Sequence, residues 1–197
     1  MNGSEPVQSL RDSMVVCPED VGPPAALDGV QRHPAELDRL DSLASYEVMD
    51  TPRETTYDAL TALAARLCST SFAAVTLIDK NRQWFKSTYG LTLEQAPREM
   101  SFCSDVVASS QILVVPDATT DSRYQHSPLV TGELGLRSYL GVPLVGRDGL
   151  PLGVLCVVDQ HPRSFTPDQV GVLVTLAEQV VFLLEQHRRA AKAVKAS

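Results

Sequence analysis

The sequence lacks the motifs that identify common enzymes and zinc proteins. Its four cysteines are widely spaced and none belongs to a Cys-x-x-Cys pair, which argues against a zinc knuckle and suggests no disulfide framework. The chain also has no Gly-x-Ser-x-Gly, no phosphate-binding glycine loop and no His-Glu-x-x-His. We therefore expect a protein without a catalytic site and without a metal site.

Long apolar runs and an excess of basic residues are also missing. No stretch approaches the roughly 18 apolar residues of a membrane helix, and residues 1–30 lack the basic start and apolar centre of a signal peptide. The net charge of -7 arises within residues 1–50, and the rest of the chain is balanced, which leaves no electrostatic footprint for nucleic acid. We therefore expect a soluble, cytoplasmic protein with no membrane or nucleic-acid partner.

The composition predicts one folded domain with a tail at each end. A chain of 197 residues, 44% of them hydrophobic, can bury one sizeable core. Residues 1–33 combine prolines, glycines and acids with no apolar period, so we expect a disordered acidic tail there. The domain itself is expected over residues 34–187, and residues 188–197 are expected to form a basic extension of its last helix.

The centre of the predicted fold is a hairpin between Ser138 and Asp159. Two apolar runs flank Arg147-Asp148-Gly149, and Asp-Gly tolerates the positive φ that a tight hairpin requires. Because both runs are apolar on both faces, we expect them in the middle of a sheet. The other expected elements are helices over residues 34–45, 54–68 and 101–108, strands over residues 72–79, 82–89 and 112–115, and a partly helical crossover over residues 118–136.

The last predicted helix runs from Thr166 to Val194. Thr166 suits the N-cap and Pro167 the first turn. We expect the first half of the helix to cover the sheet and its tail to reach solvent or a partner. One set of residues recurs at alternating spacings of four and three, which predicts a heptad seam and a signalling contact between two copies of the chain. The residues assigned to this dimer seam are Leu173, Ala177, Val180, Leu184 and His187.

Four motifs in order, RQWFKSTYGL, PREMSFC, VVPDATTDSRY and GVPLVGRDGLPLGVLCVVD, resemble a GAF domain. The resemblance covers about Ala35 to His187, and it is closest to the GAF domains at the front of bacterial sensor kinases and cyclic-di-nucleotide enzymes. It implies an α+β fold with a central antiparallel sheet. The terminal helices are then expected on one face, and a ligand cavity roofed by the crossover on the other. Such domains bind small molecules and dimerise through their terminal helices.

The resemblance does not name a ligand. Gln160 and His161 stand where the cyclic-nucleotide pattern has Asn-Lys, and Gln169 follows Asp168 where that pattern has Glu. Bilin-binding relatives attach the chromophore to a Cys followed by His, whereas Ser104 follows the cysteine here. The cofactor therefore stays unknown, with no signature of covalent bilin or of haem.

Candidate ligand residues lie in the PREMSFC loop, the crossover and the first central strand. Cys103 is either a sensor thiol facing the cavity or a buried packing residue, since free cysteine is among the most buried residue types. The acids of the crossover are explained either by a polar ligand or by turn chemistry, and its histidine by a metal or by a loop hydrogen bond. The pocket candidates are Phe102, Cys103, Asp117, Asp121, Arg123, Tyr124, His126, Arg137 and Tyr139.

The sequence favours a non-catalytic sensory domain that binds a small molecule or senses redox state and signals through the terminal helices of a homodimer. A downstream signalling protein or an effector domain outside this chain would receive the signal. Three alternatives stay open. They are a thiol enzyme of the free-methionine-sulfoxide-reductase kind with Cys103 as nucleophile, a chromoprotein that holds bilin or haem, and a dimerising scaffold without a ligand.

Overall fold

The computed structural model describes Val15–Val16 and residues 34–195. Its helices are α1 (Pro34–Ser45), α2 (Thr55–Cys68), α3 (Phe102–Ser109), α4 (Pro128–Thr131) and α5 (Pro167–Lys195). Its strands are β1 (Val15–Val16), β2 (Phe72–Ile78), β3 (Arg82–Tyr89), β4 (Gln95–Pro97), β5 (Ile112–Val115), β6 (Ser138–Val145) and β7 (Pro151–Asp159). A 3₁₀ turn at Arg98–Met100 precedes α3.

The β6–β7 hairpin lies at the centre of the sheet, as predicted. The strand order is β1-β5-β6-β7-β2-β3-β4, and every neighbouring pair except β1 and β5 is antiparallel. All nine residues of β7 are buried, because elements of the chain cover both faces of the sheet. Gly149 supplies the positive φ of the turn, 80°. The structure therefore confirms the predicted α+β fold with a central antiparallel sheet.

Two residues assigned to the disordered tail belong to this sheet. Val15 and Val16 pair in parallel with Ile112 and Leu113 at the edge of the sheet. The prediction of disorder is wrong for these two residues. The other residues of the predicted tail, together with Ala196 and Ser197, lie outside the described part of the chain.

Helices α1, α2 and α5 cover one face of the sheet. Helix α5 begins with a capping box: Gln169 N donates to Thr166 Oγ1 at 3.2 Å, and Thr166 N donates to Gln169 Oε1 at 3.0 Å. This confirms the predicted N-cap. At the other end of the helix, Lys195 Nζ lies 2.6 Å from Glu47 Oε1, so the basic end of α5 contacts the loop after α1.

The predicted dimer seam faces the core of its own chain. Four of its five residues are at most 3% exposed and belong to the core under the helices: Leu173, Ala177, Val180 and Leu184. The prediction that these four meet a partner is wrong, because a spacing of four and three serves equally to pack a helix on a sheet. His187 is half-buried, with Nε2 3.2 Å from the carbonyl oxygen of Glu47. Helix α5 continues past His187 without a break.

Helix α5 is long and apolar enough to cross a membrane by length and composition alone, contrary to the expectation that no stretch reaches that size. Its buried side carries Leu173 and Val180 against the sheet, while Glu178 and Gln179 lie exposed. A core helix with one polar side passes the same test of length and composition. We therefore interpret α5 as a core helix of the domain.

Strand β3 has a bulge at Lys86, whose side chain faces the helices. Ser87 pairs with Val75 and Phe85 with Thr76, which leaves Lys86 without a partner across the ladder. Side chains alternate along this part of the strand, so the neighbouring Phe85 faces the side of the sheet away from the helices.

The Lys86 ammonium is buried between α2 and the sheet, with its residue only 1% exposed. Its Nζ donates to Thr51 Oγ1 at 2.8 Å and to the Pro52 carbonyl at 2.9 Å, and it lies 2.6 Å from Glu54 Oε1. It also lies 5.1 Å from the centre of the Tyr57 ring. These contacts replace the water that a buried charge loses, so we interpret Lys86 as a structural residue.

Candidate functional site

Helix α3 places a cysteine against the second face of the sheet. The side chain of Ser101 accepts a hydrogen bond from Cys103 N at 3.1 Å, so Ser101 is the N-cap of α3. The short helix buries Phe102, Cys103, Val106 and Val107 on the side of the sheet away from α5. The thiol of Cys103 therefore points into the domain from the first turn of α3.

A cavity of about 90 Å³ lies between this face of the sheet and the segments that cover it. Strands β2, β3, β6 and β7 form its floor, and residues 91–103 with three leucines of the crossover form its roof. The lining residues are Phe72, Ala73, Ala74, Gln83, Phe85, Leu91, Leu93, Ala96, Pro97, Met100, Ser101, Phe102, Cys103, Leu129, Leu134, Leu136, Tyr139, Cys156 and Val158.

The lining of the cavity is almost entirely apolar. Its polar side chains are those of Gln83, Ser101 and Tyr139, beside the thiols of Cys103 and Cys156. No acidic, basic or histidine side chain lines it among the residues that the structure describes. A charged molecule would lose its hydration there without gaining an ion pair. The chemistry of the cavity favours a small, uncharged molecule with few polar groups.

Three of the predicted pocket residues line the cavity: Phe102, Cys103 and Tyr139. The other six do not line it: Asp117, Asp121, Arg123, Tyr124, His126 and Arg137. The prediction that these six line the pocket is wrong, because the crossover reaches the cavity only through its leucines. Five of the six instead bind residues of the crossover, the backbone or α3: Asp117, Asp121, Arg123, Tyr124 and Arg137.

Turn chemistry explains the role of Asp117. Asp117 accepts hydrogen bonds from Thr119 Oγ1 at 2.7 Å and from Thr119 N at 2.9 Å, and these bonds lower the pKa of Asp117. Arg137 Nη1 donates to the Val130 carbonyl at 2.9 Å and so ties α4 to the start of β6. His126 is exposed. Within the described residues, no three His, Cys, Asp or Glu side chains converge as a metal site would require.

Asp121 and Arg123 form a buried ion pair inside the crossover. Arg123 Nη2 lies 2.7 Å from Asp121 Oδ2, and both side chains are at most 9% exposed. Burial alone would raise the pKa of Asp121, but the hydrogen bonds from Arg123 outweigh it and hold this pKa below the usual value. The second terminal nitrogen of Arg123, Nη1, is buried without a hydrogen-bond partner. The pair shapes the crossover and contributes nothing to the cavity lining.

Tyr124 joins the crossover to α3 directly behind the cavity. Its ring stacks on Phe102 with a centroid distance of 3.9 Å, and its hydroxyl donates to Asp105 Oδ2 at 2.6 Å. Burial raises the pKa of Asp105 more than this hydrogen bond lowers it. Phe102 therefore has the cavity on one side and Tyr124 on the other, so its position depends on both.

Cys156 lines the cavity, although it was not among the predicted pocket residues. Along β7 the side chains alternate, so Val154, Cys156 and Val158 face the side of the cavity while Leu155 and Val157 face the helices. This period-2 pattern was readable in the sequence. The face that each set occupies depends on which side of the sheet the helices take, which only the folded chain settles.

Cys103 and Cys156 form a buried thiol pair at the inner end of the cavity. Their sulfurs lie 3.9 Å apart, the Tyr139 hydroxyl lies 3.2 Å from Cys103 Sγ, and Gln83 Nε2 donates to the same sulfur at 3.8 Å. The hydrogen bond between the thiols lowers the pKa of Cys103 and raises that of Cys156. Of the two, Cys103 therefore has the greater thiolate character.

Comparison with known proteins identifies the family. The family model of the GAF domain matches residues 52–184, and the chain belongs to this family. The cyclic di-GMP phosphodiesterase PA2567 of Pseudomonas aeruginosa is 37% identical over 133 residues, which cover 68% of this chain and 21% of that protein. The chain thus spans about a fifth of the length of this curated relative.

Solved structures show the same fold. The GAF domain of an Acinetobacter phosphoenolpyruvate-protein phosphotransferase superposes with a TM-score of 0.57 at 23% identity, covering 82% of this chain and 97% of that chain. The free methionine-R-sulfoxide reductase of Neisseria meningitidis, solved with its substrate, has a TM-score of 0.58 at 22% identity and covers 84% of this chain and 98% of its own. At these identities the likeness shows the fold alone.

Proposed function

We propose that this chain is a non-catalytic sensory GAF module that binds a small, uncharged and largely apolar molecule. The apolar lining of the cavity, interrupted by an amide and two hydroxyls, carries the proposal. Apolar burial would supply most of the binding free energy, while Gln83, Ser101 and Tyr139 would orient the ligand. A ligand of this class differs from the polar ligand that was one explanation of the acids of the crossover.

The proposed signal is a shift in population between two conformations of the cavity roof. A ligand in the cavity contacts Phe102 and the leucines of the crossover, and Phe102 stacks on Tyr124. Ligand binding would therefore favour the conformation in which α3, residues 91–101 and the crossover all pack on the sheet. The central strands that form the floor would pass the change to the helices on the opposite face.

We also propose a homodimer, now through the outer surface of the helices. Three large apolar side chains lie more than 40% exposed on α2 and α5: Leu63, Leu67 and Phe182. Helix α2 packs against α5, so these side chains lie on one pair of packed helices, where a second copy could cover them. Such a dimer would act in the cytoplasm and transmit its signal to a partner protein or to an effector domain. The P. aeruginosa relative is a longer protein named as a phosphodiesterase.

A thiol reductase is the second candidate function. The paired thiols favour it, and a free methionine-R-sulfoxide reductase shares the fold of this chain. The cavity disfavours it, because a free amino acid carries two charges and no described lining residue is charged. A turnover assay with free methionine sulfoxide and a dithiol would decide. We expect no turnover above the background of the Cys103→Ser variant, and turnover that this variant loses would establish the enzyme.

Fluorine NMR with matched probes tests the proposed ligand class. Fluorobenzene and 4-fluorobenzoate share a ring and differ by one charge, so we expect the first to broaden and shift in the presence of the protein and the second to stay unchanged. The Ala96→Phe variant fills the roof of the cavity and should weaken fluorobenzene binding at least tenfold. The control Ala44→Phe, on the exposed side of α1, should not. Equal binding of both probes, or unchanged binding to Ala96→Phe, would overturn the proposal.

A further inference from the structure

The thiol pair offers a second chemistry inside the same cavity. Cys103 lies on α3 and Cys156 on β7, separated by 53 positions in the chain. Their sulfurs are in van der Waals contact at 3.9 Å, and a disulfide requires about 2.05 Å. An approach of about 2 Å separates the reduced pair from a covalent bond, which small side-chain rotations and a slight shift of α3 can supply.

We propose that Cys103 and Cys156 form a reversible disulfide when a hydroperoxide enters the cavity. Both residues line the cavity, so a small oxidant that passes the roof meets both sulfurs. Cys68 is buried as well, but it belongs to the core under the helices and does not line the cavity. The paired geometry therefore distinguishes Cys103 and Cys156 from the other described thiol.

The reaction proceeds in two balanced steps. The Cys103 thiolate attacks one oxygen of hydrogen peroxide, the O–O bond breaks, a sulfenic acid forms and hydroxide leaves as water after taking up a proton. Cys156 sulfur then attacks the Cys103 sulfur, the S–S bond forms, the S–O bond breaks, and the second water leaves with the Cys156 proton. The two sulfurs lose two electrons together, and the peroxide gains them. A dithiol reductant reverses the oxidation by exchange.

The local contacts favour Cys103 as the first sulfur to react. The Tyr139 hydroxyl and the Gln83 amide both lie within hydrogen-bonding reach of Cys103 Sγ, and donors around a sulfur stabilise its thiolate. Cys156 then lies in contact with the sulfenic acid, ready to resolve it before further oxidation. An adjacent resolving thiol is what makes oxidation of this kind reversible.

The disulfide would also change the cavity. It would fix α3 to the central strand β7 and draw the two lining sulfurs together at the inner end. Phe102, the residue before Cys103, faces the same space. Oxidation is therefore expected to weaken binding of an apolar molecule. This consequence rests on the proposed ligand site, whereas formation of the disulfide does not.

Thiol trapping on the full chain tests the inference. The background variant Cys17→Ser leaves the three described thiols, and it is treated with equimolar hydrogen peroxide, denatured and alkylated with N-ethylmaleimide. We expect the number of alkylated thiols to fall by two, with peptide mapping to join the segments of Cys103 and Cys156 and with dithiothreitol restoring both. A further Cys68→Ser change should leave the crosslink intact, and Cys156→Ala should leave an uncrosslinked, oxidised Cys103.

The outcomes separate the two claims. Full alkylation after peroxide treatment, a crosslink through Cys68, or sulfinic acid on Cys103 with a free Cys156 thiol would overturn the disulfide. If the disulfide forms, fluorobenzene should bind the oxidised protein at least several-fold more weakly than the reduced protein. A disulfide that leaves fluorobenzene binding unchanged would overturn its effect on the cavity alone. Failure of the reduced protein to bind fluorobenzene would instead overturn the proposed function and leave the disulfide standing.

Discussion

The contact between Tyr124 and Asp105 gives the sharpest prediction about the roof. The Tyr124→Phe variant keeps the ring that stacks on Phe102 at 3.9 Å and removes only the hydroxyl that donates to Asp105 at 2.6 Å. Asp105 then stays half-buried without its donor. Leaving a buried acceptor unsatisfied costs about 1–3 kcal/mol, so we expect the free energy of unfolding to fall by this amount at pH 7.

The same variant should show a defined dependence on pH. Burial holds the pKa of Asp105 above its usual value, and the Tyr124 hydroxyl lowers it, so removing the hydroxyl raises the folded pKa further. A carboxyl whose pKa rises on folding costs stability as the pH increases from the unfolded pKa, about 3.9, through the folded pKa. The loss from Tyr124→Phe should therefore be larger at pH 7 than at pH 5.

Urea unfolding at both pH values measures the two effects. Tyr89→Phe is the matched control, because Tyr89 is 37% exposed and surface changes of this kind alter stability by no more than about 0.5 kcal/mol. A loss below about 0.5 kcal/mol for Tyr124→Phe at pH 7 would refute the reasoning. An equal loss at pH 5 and pH 7 would show that the charge of Asp105 plays no part.

Four further variants, at three positions, test the rest of the fold. Lys86→Met should change the free energy of unfolding by less than about 1 kcal/mol, because an apolar side chain of similar length fills the site. Lys86→Ala should lower the free energy of unfolding by about 2–4 kcal/mol, because it leaves a cavity. Urea unfolding measures both changes. Gly153→Ala should prevent stable folding, seen as loss of cooperative unfolding, because a Cβ there clashes with the Thr76 carbonyl oxygen. Thr166→Ala should cost about 1 kcal/mol in a thermal melt because it removes the hydrogen bond to Gln169 N.

Local features of the fold were predictable from the sequence. The β6–β7 hairpin follows from two apolar runs around Asp148-Gly149, and the caps of α3 and α5 follow from Ser101 and Thr166. Each depends on residues within a few positions of one another, so chain-local physical chemistry determines them. The family resemblance carried by the four ordered motifs predicted that the terminal helices and the cavity lie on opposite faces of the sheet.

Features that depend on distant contacts were not predictable. The spacing of Leu173, Ala177 and Val180 is the same for a helix on a sheet and for a helix in a dimer. The acids of the crossover had two explanations in the sequence, and the geometry at Asp117 favours the turn. The proximity of Cys156 to the first turn of α3 arises only when β7 and α3 meet across the sheet.

Hydrogen exchange with a neutral probe tests the central claim most directly. The claim is that an uncharged apolar molecule binds in the cavity and orders its roof. Fluorobenzene at saturating concentration should slow amide exchange in residues 91–103 and in α3, while 4-fluorobenzoate should not, and Ala96→Phe should abolish the effect. Unchanged exchange in these segments, or slowing confined to α1, α2 and α5, would contradict the account.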